Sequence, residues 1–273
     1  AAGLVAALER HAITATWMPP TLLYMILDQP GLSDRRFALR HLIWGGAAAA
    51  PDKLAEARRV FGEVVEAVYG QTEASTSATA TRADEIPDPA MLASVGRATL
   101  LTQVAVAAPD GRLLPPGEAG EIVIRGDLVM RGYLGMPAET TEVFRNGWLR
   151  TGDVGIVDER GYLFIKDRLK DLIITGGFNV YPSDVEAALA RHPAVADSVV
   201  FGLPDPKWGE RVEAAVQLKA GSAAGEADLI DFARSQVGSV KAPKHVHILA
   251  ELPKSPVGKV LRRDVKALFA SGS

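Results

Sequence analysis

Gly147-Trp148-Leu149-Arg150-Thr151-Gly152-Asp153 closes on a carboxylate, and two later stretches give it context: Asp167-Arg168-Leu169-Lys170-Asp171, and Pro253-Lys254-Ser255-Pro256-Val257-Gly258-Lys259. The first reads as a tight turn presenting Asp153. The second reads as a charged segment ahead of the Gly176-Gly177 pair, and the third as a Pro/Gly/Ser-punctuated loop carrying a lysine. An ionised carboxylate only accepts hydrogen bonds, which suits the two hydroxyls of a ribose, while a lysine on a loop brings a point charge to a phosphate or a reacting carboxylate. Together the three stretches point to nucleotide chemistry.

Around them the chain is that of a globular protein. Its 273 residues suffice for one large or two modest domains, and 48% hydrophobic content is ample for real cores. No apolar run reaches the roughly eighteen residues needed to cross a bilayer, and the Ala-rich start lacks a signal-peptide pattern, so a cytoplasmic setting is expected. The absence of cysteine excludes disulfides, thiol nucleophiles and thiolate metal sites, and a net charge of −3 argues against general nucleic-acid binding.

Periodicity divides the chain into three stretches. An α/β lobe over about 1–90 contains the apolar run Leu42-Ile43-Trp44, a helix through Lys53 to Phe61, and a strand over Val64 to Tyr69. A β-rich region over about 91–168 alternates turn signals such as Pro109-Asp110-Gly111 and Asp158-Glu159-Arg160-Gly161 with the period-two pairs Val104/Val106, Ile122/Ile124 and Tyr162/Phe164. A small α+β domain over 169–273 then follows. Ser183 and Glu186 match a capping box ahead of an apolar helix face, strands cover Val195 to Phe201 and Val212 to Leu218, and a helix carrying Leu229, Ile230, Ala233 and Val237 ends at Gly238. The boundary falls at Arg168 to Lys170.

Several residues offer chemistry with an ordinary structural reading beside it. Tyr69-Gly70-Gln71-Thr72-Glu73 follows a strand and could stack a base, bond phosphate oxygens and hold a hard cation, or be a turn and helix cap. Gly45-Gly46-Ala47 lets backbone approach a planar group or simply turns the chain. Asp153 is a ligand or a turn aspartate, and Arg168 a ligand or half of a surface ion pair. His245 and His247 share a strand face, but two histidines without a third ligand do not make a zinc site. Gly120 to Tyr133 reads as structural.

In order and spacing these motifs resemble the adenylate-forming superfamily of acyl-CoA synthetases, luciferases and nonribosomal adenylation domains, over about Gly45 to Arg263. The resemblance implies a partial adenylate-forming fold: an α/β plus β-rich large domain, then a mobile small domain. It places Gly46, Ala47, Tyr69, Gly70, Gln71, Thr72, Asp153, Ile165 and Arg168 at the nucleotide. Within that set Tyr69 lies on the adenine, Thr72 at the phosphate, and Asp153 and Arg168 on the ribose. Glu73 becomes a Mg²⁺ ligand, Lys170 the hinge, and Gly176 and Gly177 part of the coenzyme A path. Lys259 is the catalytic lysine beside the acyl carboxylate and α-phosphate, acting with Thr72 and Glu73. The chain departs from the family's Gly-Gly-Ala-Pro by reading Ala48, with proline displaced to Pro51, which leaves the shape of that loop open.

By the same resemblance, ATP or AMP, Mg²⁺, coenzyme A and a small carboxylic acid are the expected cofactors and partners. The implied activity is acid:CoA ligation through an acyl-adenylate, favoured over a nonribosomal module by Leu203-Pro204-Asp205-Pro206-Lys207-Trp208-Gly209-Glu210. An adenylating enzyme with another acceptor, or a nucleotide-binding module without turnover, are the alternatives. No Gly-x-x-x-x-Gly-Lys-Ser/Thr phosphate loop occurs. The sequence, which does not start with methionine, is therefore expected to be the C-terminal half of a longer synthetase, inactive alone and prone to self-association through surface left uncovered.

Overall fold

The computed structural model describes residues 1–75, 77–86, 89–255 and 260–270. The chain divides into two compact units, Ala1–Ile165 and Lys166–Ser273. It is a mixed α/β structure whose first unit carries two sheets and whose second is a smaller α+β unit.

In the first unit, α1 (Ala2–Arg10) leads into β1 (Ala15–Met18), α2 (Pro20–Leu27), β2 (His41–Trp44), α3 (Pro51–Phe61) and β3 (Val65–Tyr69). The strands β1, β2 and β3 pair in parallel, so each helix between them serves as the crossover that parallel pairing demands. In α3, Pro51 supplies a preset φ at the first turn, and Leu54, Ala57 and Phe61 form the buried stripe. Two short strands, β4 (Thr79–Ala80) and β5 (Arg97–Ala98), complete this sheet in antiparallel fashion.

The second sheet contains β6 (Thr102–Ala107), β7 (Ala119–Gly126), β8 (Phe144–Arg145), β9 (Trp148–Val157) and β10 (Leu163–Arg168), with α4 (Pro137–Val143) leading into β8. Its order is β10-β9-β7-β6, and β8 pairs with β9. Ile122, Ile124 and Leu149 are fully buried in the same apolar cluster as Leu42, Leu54 and Val65, so both sheets close over one core. Among the described residues no helix is long and apolar enough to cross a membrane.

The second unit begins with the hairpin β11 (Ile173–Thr175) and β12 (Phe178–Val180), followed by α5 (Pro182–Leu189), β13 (Val195–Asp205), β14 (Gly209–Leu218), α6 (Glu226–Lys241), β15 (His245–Leu249) and α7 (Arg262–Ala270). Its sheet runs β12-β11-β14-β13, with β15 parallel to β14. Val212, Ala214 and Val216 join one cluster with Val185, Leu189, Leu229 and Ala233. Ala215 belongs to a second cluster with Phe201, Leu203 and Val265 of α7. Covered on both faces, β14 buries five consecutive residues, Val212 to Val216.

Two local expectations are corrected. The strands joined through Asp205 and Gly209 are longer than expected, because hairpin pairing continues through the buried Gly202↔Val212 and Leu203 out to Asp205↔Gly209. Ser183 and Glu186 form no capping box: Pro182 opens α5 after Tyr181, which sets Ser183 inside the helix. There Ser183 donates its hydroxyl to the Lys166 carbonyl, and Glu186 accepts from the Val200 amide and from Arg262. In α6 the helical dihedrals break at Gly238, where φ is +79°.

Candidate functional site

The site in the first unit starts from two neighbouring parallel strands. The Gly45-Gly46-Ala47 loop leaves the C-terminal end of β2, and Gly70-Gln71-Thr72-Glu73 leaves that of β3, the edge of an open α/β sheet where ligands bind. Gly45 is needed for packing as well as for any ligand, since a Cβ there would lie 2.8 Å from the Val68 carbonyl oxygen on β3. Gly46 sits against the exposed indole of Trp17.

Asp153 reaches the site through an irregularity in β9. The sequence suggested a tight turn, but the residue lies within a ten-residue strand. Glu121 on β7 faces Val154 and Val123 faces Arg150, so Thr151, Gly152 and Asp153 together stand opposite Ile122 alone. Such a bulge re-aims side chains that a regular pleat would alternate. Gly152 takes φ +72°, open to glycine without steric cost. Thr151 donates its hydroxyl to the Ile122 carbonyl at 2.7 Å and accepts from the Asp153 amide at 3.1 Å, replacing ladder bonds the bulge removes. Glu121, buried, completes the support. One oxygen accepts from the Gly152 amide at 3.1 Å, and the other takes Nε and Nη2 of Arg150 at 2.8 and 2.7 Å.

The carboxylate so presented meets Tyr69, whose hydroxyl donates to Asp153 Oδ2 at 2.8 Å. Both are buried, Tyr69 with its ring in the apolar core and only 7% of its surface exposed. The ring therefore offers little face for stacking, and its clearest action is to fix Asp153. Gly152, next to Asp153 in the chain, lines an open cleft of about 520 Å³ together with Gln71, Glu73, Glu121, Tyr133, Arg150 and Thr151, with Glu142 and Val143 at the end of α4. Thr72 is exposed at the start of a short 3-10 turn, Thr72–Ala74, that also carries Glu73.

Glu73 accepts from the Tyr133 hydroxyl at 2.8 Å, and this bond raises the pKa of Tyr133 by favouring its protonated form. No group of three or more metal-ligating side chains occurs among the described residues. A single carboxylate beside a hydroxyl fits Mg²⁺ all the same, since that ion keeps several waters and takes most other ligands from substrate phosphates. Tyr133, Glu121 and Arg150 escaped sequence reasoning. The segment Gly120 to Tyr133 reads as structural, and only the fold brings it against Glu73 and Gly152.

Ile165, on β10, is partly buried against the first unit's core. The remaining expected residues belong to the second unit. Arg168 ends β10, Lys170 lies exposed in the 3-10 turn Leu169–Asp171, and Gly176 and Gly177 form the exposed turn between β11 and β12. The Gly176 amide donates to the Trp208 carbonyl at 2.8 Å. Lys259 lies outside the described residues, whereas Lys254 and Val260 on either side of that stretch pair with each other. His245 and His247 each meet a carboxylate, Glu226 at 3.3 Å and Glu213 at 2.7 Å.

Residues 1–134 match the family model of the AMP-binding enzymes, and residues 184–259 match that of the AMP-binding enzyme C-terminal domain. The chain is 41% identical to the medium/long-chain-fatty-acid–CoA ligase FadD8 of Mycobacterium tuberculosis, an alignment covering 97% of this chain and 48% of that protein. It is 37% identical to the fatty acid–[acyl-carrier-protein] ligase ScoC of Streptomyces coeruleorubidus, over 94% of this chain and 50% of that one. Among solved structures, the amide bond synthetase McbA from Marinactinospora thermotolerans superposes with a TM-score of 0.90 at 36% identity, covering 98% of this chain and 55% of that one. The chain spans about half the length of the curated relatives it matches.

Proposed function

The chain belongs to the adenylate-forming AMP-binding enzyme family, and from that premise we propose that it is part of an ATP-dependent acid:CoA ligase acting on a fatty or other carboxylic acid. The observation that carries this reading is the bulge in β9, which fixes the Asp153 carboxylate on Tyr69 beside a polar cleft. In the proposed reaction, a carboxylate oxygen of the acid attacks the α-phosphorus of ATP as the bond to the β-phosphate oxygen breaks, giving acyl-adenylate and pyrophosphate. The thiolate of coenzyme A then attacks the acyl carbon and AMP leaves.

Asp153 serves by accepting the ribose hydroxyls, with Tyr69 keeping it in place and Arg168 a second ribose contact. Thr72 offers a hydroxyl to phosphate, and Gly46, Ala47, Gly70, Gln71 and Ile165 border the nucleotide. Glu73 holds Mg²⁺, which when bound neutralises phosphate charge. Lys259 offsets repulsion between the two reacting anions. Lys170 is the pivot of a mobile small domain, and Gly176 and Gly177 border the path of coenzyme A.

The relatives' names support an acid-activating step and differ in what receives the acyl group: coenzyme A, a carrier protein, or an amine. Coenzyme A is favoured by the strongest identity among those three, to a CoA ligase. The test is thioester formation by the full-length protein across short, long and aromatic acids, with pyrophosphate exchange followed in parallel. Acid-dependent exchange with no thioester would assign a different acceptor, and no exchange with any acid would leave only nucleotide binding.

A further inference from the structure

The second unit contains a set of bonds that run from one side of Lys170 to the other. Upstream, Lys166 and Asp167 lie at the end of β10; downstream, Ser183 lies in α5 and Arg262 opens α7. The Ser183 hydroxyl donates to the Lys166 carbonyl, and the Ser183 amide donates to Asp167 Oδ2 at 2.8 Å. Arg262 Nη1 lies 3.5 Å from Asp167 Oδ1. These contacts hold Lys166 and Asp167 within the second unit, whose boundary falls at Ile165, ahead of Lys170.

Arg262 is held differently from its partner. Its stronger pairs are both downstream, Nη1 to Asp171 at 2.8 Å and Nη2 to Glu186 at 2.9 Å. Glu186 is deeply buried, which raises its carboxyl pKa, with Arg262 opposing that rise. The buried Nε of Arg262 has no hydrogen-bond partner among the described residues. Asp167 has only 5% of its side chain exposed, and its side-chain partners are the downstream Ser183 and Arg262 together with the adjacent Arg168 amide.

We propose that Asp167, clasped by Ser183 and Arg262, is a latch across Lys170, so that rotation at Lys170 requires these bonds to open. This rests on the reading of Lys170 as the pivot. Rotation there would carry Ser183 and Arg262 away together, since both lie downstream. Arg262 would keep Asp171 and Glu186, while Asp167 alone would return to water. The latch therefore makes Asp167 a positioning residue, whose carboxylate sets how readily the chain turns at Lys170.

Limited trypsin digestion of the folded chain reads this directly, with the Arg168–Leu169 bond as reporter. Asp167→Ala should speed its cleavage on the order of tenfold or more, the loss expected for a buried charge-assisted bond when cleavage follows the open population. Asp171→Ala, which removes a downstream pair only, should leave the rate within about twofold of the unmodified chain. Equal acceleration in both variants, or none in Asp167→Ala, would overturn the latch. Ser183→Ala removes the hydroxyl bond to the Lys166 carbonyl, the other tie across Lys170, and leaves the Ser183 amide on Asp167; it guards against a misfolded Asp167 variant and should accelerate the same cleavage by a smaller factor, and an unchanged rate would count against the proposal. Thioester formation by a Lys170→Pro form of the full-length protein judges the pivot separately. If that variant were as fast as the parent while Asp167→Ala still accelerated cleavage of the reporter bond, the pivot reading would fall and the clasp would stand.

Discussion

The Tyr69 hydroxyl donates to Asp153 Oδ2 at 2.8 Å across 84 residues of sequence, joining the end of a parallel strand in one sheet to a bulge in another. Neither partner reaches the other by local geometry. The contact exists because both sheets share one core, so the carboxylate is oriented before any ligand arrives.

Asp153→Ala is expected to weaken AMP binding by tenfold or more, because each charge-assisted hydrogen bond to a ribose hydroxyl contributes about 1.5–3 kcal/mol. Tyr69→Phe keeps the ring and removes only the orienting bond, so its loss should be smaller. Titration calorimetry on the purified chain measures both, and an Asp153→Ala variant that folds and binds AMP as tightly as the parent sequence would remove Asp153 from the ribose.

Glu121→Ala strips the acceptor from the Gly152 amide and from Arg150 together. Leaving those donors unpaired should cost about 1–3 kcal/mol of stability and loosen the bulge, so AMP affinity should fall although Glu121 is not assigned to the ribose. Urea unfolding alongside calorimetry checks this. Stability lost with affinity intact would mean that the bulge does not position Asp153.

Tyr133→Phe should lower the Mg²⁺ concentration needed for half-maximal pyrophosphate exchange in the full-length protein, because the tyrosine hydroxyl competes for the Glu73 carboxylate. Unchanged Mg²⁺ dependence would place the metal elsewhere.

Glu213 carries a pH dependence whose sign is fixed. Burial alone would raise its pKa, but hydrogen bonds from His247 at 2.7 Å and Arg211 at 2.5 Å turn the shift downward. A depressed carboxyl pKa contributes stability that is fully present above the ordinary glutamate value of about 4.3 and is lost as pH falls through the folded value. Glu213→Gln should therefore destabilise the chain near neutral pH and flatten the acid limb of its stability profile. Urea midpoints measured from acid to neutral pH would show this, and parallel profiles for both proteins would refute it.

Elements built on one segment's own pattern were readable in the sequence. Leu54, Ala57 and Phe61 mark α3, and Ile122/Ile124 mark an inward strand face. Asp153 was legible as a candidate, but its bulge was not: register depends on Glu121 and Val123, on a different strand. Tyr133 was missed for the same reason, since nothing near it in sequence announces Glu73, 60 residues away. Ser183 and Glu186 misled because a capping pattern is a local signal, and Pro182 starts the helix earlier than that pattern assumes.

The apolar clusters of the two units share no residue. Melting of this chain should consequently be two cooperative events, and a single midpoint temperature would describe neither. Scanning calorimetry should resolve two overlapping endotherms, with Glu213→Gln displacing one and Glu121→Ala the other; a lone endotherm moved equally by both would mean that the cores melt as one. Loss of order in the small unit can then leave the Asp153 carboxylate still seated on Tyr69, so the first unit's cleft can outlast the second unit's fold in the same molecule.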